Sequence, residues 1–274
     1  MSNFSMQRIK PEDCQQAIAL SEAVYLSRQE ATDVATRLGY RVSHIGNNGG
    51  PRVMVCSNDD ETIVVIRGTD VGDWFDLVSD IRFWPRRDYQ GGYVHRGFYN
   101  YCDAVWMQVE PVVLAANSQR LTFVGHSLGG AAAVIMATWS GVLRRLAGAP
   151  LAHVVTIGAP RVATRGFLKM TAAQTSGVAR ITNNLDSVPY LPWPIYHHPK
   201  AEHYFIHGDG RVLRNPTLQT RIRNVGRGLW KRLMKLSWYC VRYRSLARAV
   251  KEVGSDSDHR ITKYKERFDA WMAG

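Results

Sequence analysis

Cysteine is scarce in this sequence, and the four that occur, Cys14, Cys56, Cys102 and Cys240, stand far apart with no C-x-x-C or other metal-ligand spacing. Their apolar neighbours read as free, mostly buried thiols in a reducing compartment, not as a disulfide framework or a zinc site. The opening residues, MSNFSMQRIKPEDC, lack a continuous apolar core, so no secretory signal is expected. No internal repeat and no long low-complexity tract occurs, which excludes repeat architectures. No linker divides the chain either, so one domain over residues 1–274 is expected, long enough to bury a large core.

Acidic residues are absent from residues 211–251, where twelve Lys or Arg occur. The whole chain holds 35 basic and 23 acidic residues, so this segment alone supplies the formal net charge of +12 and the remainder is balanced. Within it, residues 229–253 lack Gly and Pro, and Leu229, Leu233, Leu236, Cys240, Tyr243, Ala247 and Val250 recur at spacings of three and four. That pattern predicts a basic helical insertion over about 211–253. Docking on an anionic membrane surface and packing on the domain with a solvated basic edge both remain open. Nucleic-acid binding is the weaker reading, since no recognised motif accompanies the charge.

All charged residues are missing from a second window, residues 121–143, which at 23 residues could cross a bilayer as a helix. Gly125-His126-Ser127 and Gly129-Gly130 would interrupt such a helix, and a strand, a tight turn and a helix explain the window better. Further strands are expected at 52–56, 62–66, 153–157, 178–182 and 203–207, and helices from Pro11 to about Ser27, at 99–116 and at 130–146. Strands alternating with helices predict an α/β fold with a mostly parallel central sheet and helices on both faces.

The turn in the charge-free window, Gly125-His126-Ser127-Leu128-Gly129, fits G-x-S-x-G. Between a strand and a helix this pattern makes a sharp elbow that exposes the serine at a strand end, with the helix N-terminus facing developing negative charge. A serine hydroxyl needs a histidine to take its proton and an acid to fix that histidine's tautomer. Asp186, in NNLDSVPYLP just after a predicted strand, and His259, in SDSDHRITKY, follow Ser127 in the order Ser, Asp, His. Alone, each also reads as a turn or helix-start residue. His197, His198, His203 and His207 are competing histidines; the cluster HHPKAEH is poorly spaced for a metal, and His203 and His207 read as structural strand residues. His95 and His126 are assigned no chemistry.

VVIRGTD with a following DW, VHRGF, VGHSLGGA, TIGAPRV, NNLDSVPYLP and DHRITKY occur in that order over residues 62–264. Together they resemble the class 3 lipase family of α/β-hydrolases, which includes the fungal triacylglycerol lipases. The resemblance implies Ser127 as nucleophile, Asp186 as acid and His259 as base. It places the oxyanion donors at the backbone N–H of Leu128 and at Thr69. In the family the region corresponding to 70–85 is a lid, so this segment, with Trp74 and Phe75, resembles one, a helix packed on the sheet being the alternative. The stiff, apolar, proline-rich loop after Asp186, with Val188 and Trp193, is expected to wall the alkyl-binding side of the pocket.

The expected activity is carboxylic-ester hydrolysis through an acyl-enzyme, on a lipase or phospholipase substrate, without metal or organic cofactor. The alternatives are a short-chain or carbohydrate-ester esterase, or a catalytically idle module using the basic arm on membrane or nucleic acid. Unlike the secreted fungal members, the chain shows neither signal peptide nor disulfide pattern. The expected location is therefore cytoplasmic, with peripheral membrane attachment and non-classical export left open.

Overall fold

The computed structural model describes residues 9–45, 53–68, 84–116, 120–184, 186–192, 195–207, 209–217, 219–220 and 258–274. Helices α1 (Pro11–Ala23) and α2 (Arg28–Arg37) precede strands β1 (Arg41–Ile45), β2 (Val53–Ser57) and β3 (Glu61–Ile66). A short ribbon, β4 (Pro85–Arg87) and β5 (Tyr93–His95), leads into α3 (Arg96–Ala115). Then come β6 (Arg120–His126), α4 (Leu128–Leu146), β7 (Ala152–Ile157), α5 (Arg165–Gln174) and β8 (Thr175–Asn183). A 3-10 turn (Val188–Tyr190), β9 (Glu202–Ile206), β10 (Val212–Arg214) and α6 (Ile261–Ala273) complete the described elements.

One sheet carries eight strands in the order β1-β2-β3-β6-β7-β8-β9-β10. The five from β3 to β9 run parallel, while β1, β2 and β10 join antiparallel at the two edges. Side chains alternate across it with period two. On β3, Val64 and Ile66 enter a core shared with α3 and α4, while Ile63 and Val65 enter a second core shared with α1, α2 and α6. Apolar runs without polar interruption are what a strand buried on both faces requires.

The charge-free window is explained by burial. Its first part is β6, the central strand, and its second is α4, in which every residue from Leu128 to Gly141 is buried. A helix apolar all round belongs inside a core or a membrane, and here the sheet, α3 and α5 surround it. No helix among the described residues is long and apolar enough to cross a membrane. Just beyond the window comes Arg144, itself buried, whose guanidinium donates to the carbonyls of Ala116, at 3.0 Å, and Pro150. It thereby satisfies a carbonyl that the end of α3 would leave without a partner.

Several expected boundaries move. The helix expected to reach Ser27 stops at Ala23, because Ser27 caps α2: its Oγ accepts the Glu30 N–H at 3.3 Å and Glu30 Oε2 accepts the Ser27 N–H at 3.1 Å. The segment expected as a helical insertion from residue 211 begins as edge strand β10, where Arg211 pairs with Asp209 and Arg214 with Glu202. The rest of that insertion, residues 221–253, lies outside the described residues. Of the lid-like segment, residues 70–83 also lie outside them. Its last two residues are Trp84, 69% exposed, and Pro85, the first residue of β4. Cys14, Cys56 and Cys102 are free and buried, and burial pushes the Cys56 thiol up to about 12.

Candidate active site

Ser127 is the single residue between β6 and α4, held at φ 57° and ψ −128°. A side chain at positive φ costs on the order of 1–3 kcal/mol and persists only where the surroundings impose it. Here the Ser127 N–H donates to the Ile157 carbonyl at 2.9 Å, and Gly129 lets the first turn of α4 lie directly on the end of β3. A Cβ at Gly129 would stand 2.1 Å from the Ile66 carbonyl oxygen. The packing of helix on strand thus demands the glycine, and the turn that results aims the serine at the carboxyl end of the sheet.

Asp186 lies three residues beyond β8, two strands along the sheet from β6, and His259 lies two residues before α6. The fold brings these side chains together across 132 residues of sequence. His259 Nε2 lies 2.9 Å from Ser127 Oγ, and His259 Nδ1 lies 2.8 Å from Asp186 Oδ2. The carboxylate can only accept, so Nδ1 carries the proton and Nε2 is left to receive the one from Ser127. All three side chains are buried, Ser127 completely.

The carboxylate is held from three sides. The Val188 N–H donates to Oδ1 at 2.9 Å, while Oδ2 accepts from His259 and from the Tyr264 hydroxyl at 2.6 Å. Burial first, and the neighbouring Asp186 charge second, hold the Tyr264 phenol well above its ordinary range, so it remains a donor. The Tyr264 oxygen in turn accepts the Asn183 N–H at 3.0 Å. Gly158, at φ +56°, forms the floor: a Cβ there would stand 2.9 Å from Asp186 Oδ2 and 3.3 Å from His259 Nδ1. The base is anchored through its neighbour Asp258, whose carbonyl accepts from Asn183 Nδ2 at 2.9 Å and whose carboxylate pairs with Arg267 at 3.1 Å.

Of the other residues singled out from the sequence, Leu128 is the first residue of α4, where backbone N–H groups have no intrahelical acceptor. Val188 buries its side chain in the core on the α3 and α4 side and serves Asp186 with its backbone. Thr69, Trp74, Phe75 and Trp193 lie outside the described residues. His198 bonds the Pro189 carbonyl at 2.6 Å and His203 bonds Thr182 Oγ1 at 2.6 Å, so these two have separate protein partners. Among the described residues no group of three or more His, Cys, Asp or Glu is placed to hold a metal.

Two contributors, Tyr264 and Tyr25, were not singled out, and a third, His126, was assigned no chemistry. Tyr264 had a readable signal, because Ile261, Tyr264 and Phe268 recur at helical spacing on the buried face of α6, and a buried phenol must find a partner. Tyr25 had none. His126 fits the variable position of the elbow, yet its Nε2 lies 2.7 Å from the His259 carbonyl and its Nδ1 lies 3.1 Å from Tyr25 Oη.

A parallel sheet with a serine elbow, and with acid and histidine on the loops beyond it in that order, defines an α/β-hydrolase. Comparison with known proteins narrows the class. A model of the class 3 lipase family matches residues 63–195. Secreted mono- and diacylglycerol lipase 1 of Fusarium solani is 30% identical over 219 residues, covering 74% of this chain and 63% of the relative. Toxin TseL of Vibrio cholerae is 35% identical over 105 residues, 38% of this chain and 16% of the toxin. The chain thus spans less than two thirds of the length of either relative. The solved structure of Rhizomucor miehei triacylglyceride lipase shares the fold with a TM-score of 0.62 at 22% identity, over 74% of this chain and 82% of that one. Residues 63–195 thus carry a class 3 lipase region, and the fold agrees with that match.

Proposed function

We propose that this protein hydrolyses carboxylic esters of glycerolipids, as a lipase or phospholipase, through an acyl-enzyme on Ser127. The observation that carries the reading is the unbroken line of hydrogen bonds from Ser127 Oγ to His259 Nε2 and from His259 Nδ1 to Asp186, at 2.9 and 2.8 Å. Ser127 attacks the ester carbonyl as His259 accepts its proton, and Asp186 stabilises the imidazolium so formed. His259 then gives the proton to the departing alcohol. Water enters, loses a proton to the same histidine and releases the fatty acid. The Leu128 N–H, at the positive end of α4, and Thr69 receive the oxyanion; one such donor is worth about 3 kcal/mol of transition-state stabilisation.

A glycerolipid substrate is supported by the match of residues 63–195 to the class 3 lipase family and by the Fusarium relative, which is named as a mono- and diacylglycerol lipase. The twelve basic residues among 211–251, with no acidic residue between them, support docking on an anionic lipid surface. Because Ser127 is wholly buried, an ester reaches it only when part of its cover moves.

The test is mass spectrometry of products from mixed vesicles of phosphatidylglycerol, phosphatidylethanolamine and triglyceride, with Ser127→Ala as control. Serine-dependent lysophospholipid is expected of a phospholipase, and fatty acid from triglyceride alone of a neutral lipase. Absence of both products would refute the lipid reading.

A further inference from the structure

Gly68, Tyr25, His126 and His259 are joined by three hydrogen bonds, and the direction of each is determined by chemistry. The Gly68 N–H donates to the Tyr25 oxygen at 3.0 Å, and that oxygen lies 3.1 Å from His126 Nδ1. The His259 carbonyl, 2.7 Å from His126 Nε2, can only accept. Burial holds the His126 pKa well below its ordinary value, so the ring is neutral, its proton is on Nε2, and Nδ1 accepts from the Tyr25 hydroxyl.

The chain's two ends have different locations. One is the backbone of His259, whose ring lies 4.8 Å from that of His126 between centroids. The other is the backbone at the end of β3, two residues past Ile66 and one before Thr69. That end lies directly on the nucleophile, since a Cβ at Gly68 would meet the His126 carbonyl at 2.5 Å and Ser127 Cβ at 3.1 Å. Its preceding residue is held as well: the Arg67 carbonyl accepts from Tyr101 Oη at 2.7 Å, and the Arg67 guanidinium sits over the Tyr25 ring at 5.1 Å.

We propose that His126 and Tyr25 are positioning residues that lock the backbone of the base His259 to the backbone of the oxyanion strand at Gly68. The inference rests on the ester-hydrolase reading above. Neither side chain bonds Ser127 Oγ or Asp186; they act by fixing where the base and the oxyanion strand stand relative to the serine between them. The histidine of the elbow is selected for its two ring nitrogens, one donor and one acceptor on opposite sides. A lysine, a glutamate or an alkyl group at position 126 could not supply both.

Three substitutions in the full chain separate the bonds. Tyr25→Phe deletes one oxygen. His126→Asn keeps an acceptor near Nδ1 and removes the donor to His259. His126→Gln keeps a donor near Nε2 and removes the acceptor for Tyr25. In steady-state hydrolysis of p-nitrophenyl butyrate, each should lower kcat on the order of tenfold to a hundredfold, with KM within about twofold, because orientation and not binding is lost. Wild-type kcat in Tyr25→Phe and His126→Asn overturns the proposal. If wild-type protein shows no turnover that Ser127→Ala removes, the ester-hydrolase reading itself fails. Nitrogen-15 NMR of the wild-type imidazoles guards against misfolded variants: His126 should appear as the Nε2–H tautomer, and an Nδ1–H or doubly protonated ring overturns the proposal.

Discussion

Tyr264→Phe removes a single oxygen from beneath the acid of the site, and its effects on stability and on activity should differ. That oxygen donates to Asp186 Oδ2 at 2.6 Å and accepts from the Asn183 N–H at 3.0 Å, in a fully buried position. A hydrogen bond to a charged group contributes about 1.5–3 kcal/mol, and a buried N–H left without its acceptor costs about 1–3 kcal/mol. The two losses share one small void and overlap, so about 3 kcal/mol in total is expected. For a domain of this size that corresponds to a fall in Tm of roughly 6–9 °C.

Turnover should suffer much less. Asp186 retains the Val188 N–H and the His259 Nδ1–H, so the tautomer of His259 is unchanged. The predicted loss in kcat is under about tenfold. The assay pairs a thermal melt with ester hydrolysis at one pH, well below the melting range. A Tm within about 2 °C of wild type would show that the oxygen carries no such energy. A kcat loss as large as that of Asp186→Asn would show that it acts on the chemistry directly.

Asp186→Asn itself should cut kcat by on the order of ten-thousandfold in the same assay, since an amide cannot hold His259 with its proton on Nδ1. Gly129→Ala drives a methyl to 2.1 Å from the Ile66 carbonyl, so α4 must shift away from β3. Labelling by a fluorophosphonate should then be lost together with a fall in Tm, and labelling at the wild-type rate would contradict the close approach. His95 packs tilted against Phe98 and edge-on against Tyr196, and burial pushes its pKa down to about 4 from the ordinary 6.5. Between those values the unfolded chain binds the proton and the folded one does not. The contribution is therefore complete above pH 6.5 and is lost as pH falls towards 4. Urea unfolding at pH 7 and pH 4.5 should show roughly 2 kcal/mol more acid destabilisation in wild type than in His95→Asn. Equal pH dependence in the two proteins would be evidence against it.

Local rules were strong where one segment contains both the cause and the consequence. The elbow is such a place, for its glycines, strand and helix fall within residues 120–146. The parallel strands were readable because double-sided burial leaves them uncharged and rich in β-branched residues, as in residues 62–66 and 153–157. Short edge elements were not. β4, β5 and β10 have three residues each, too few for any period to register, and α2 was overlooked although Ser27 and Glu30 spell out its cap.

The sequence by itself determined the kind of chemistry: a serine on a strand-to-helix turn, with an acid and a histidine following in a fixed order, admits few other readings. It also determined the fold class, through alternating strands and helices and an uncharged centre. Only the tertiary structure decided which of several histidines meets the serine. It also showed that Tyr264 holds the acid, that Gly158 underlies it, and that His126 and Tyr25 connect the base to the strand beside the nucleophile. These contacts join residues 28 to 133 positions apart. Pairing over such distances obeys no local period or propensity; it is settled by which backbone groups and side chains the packed sheet leaves within about 3 Å of one another, each buried polar atom requiring a partner.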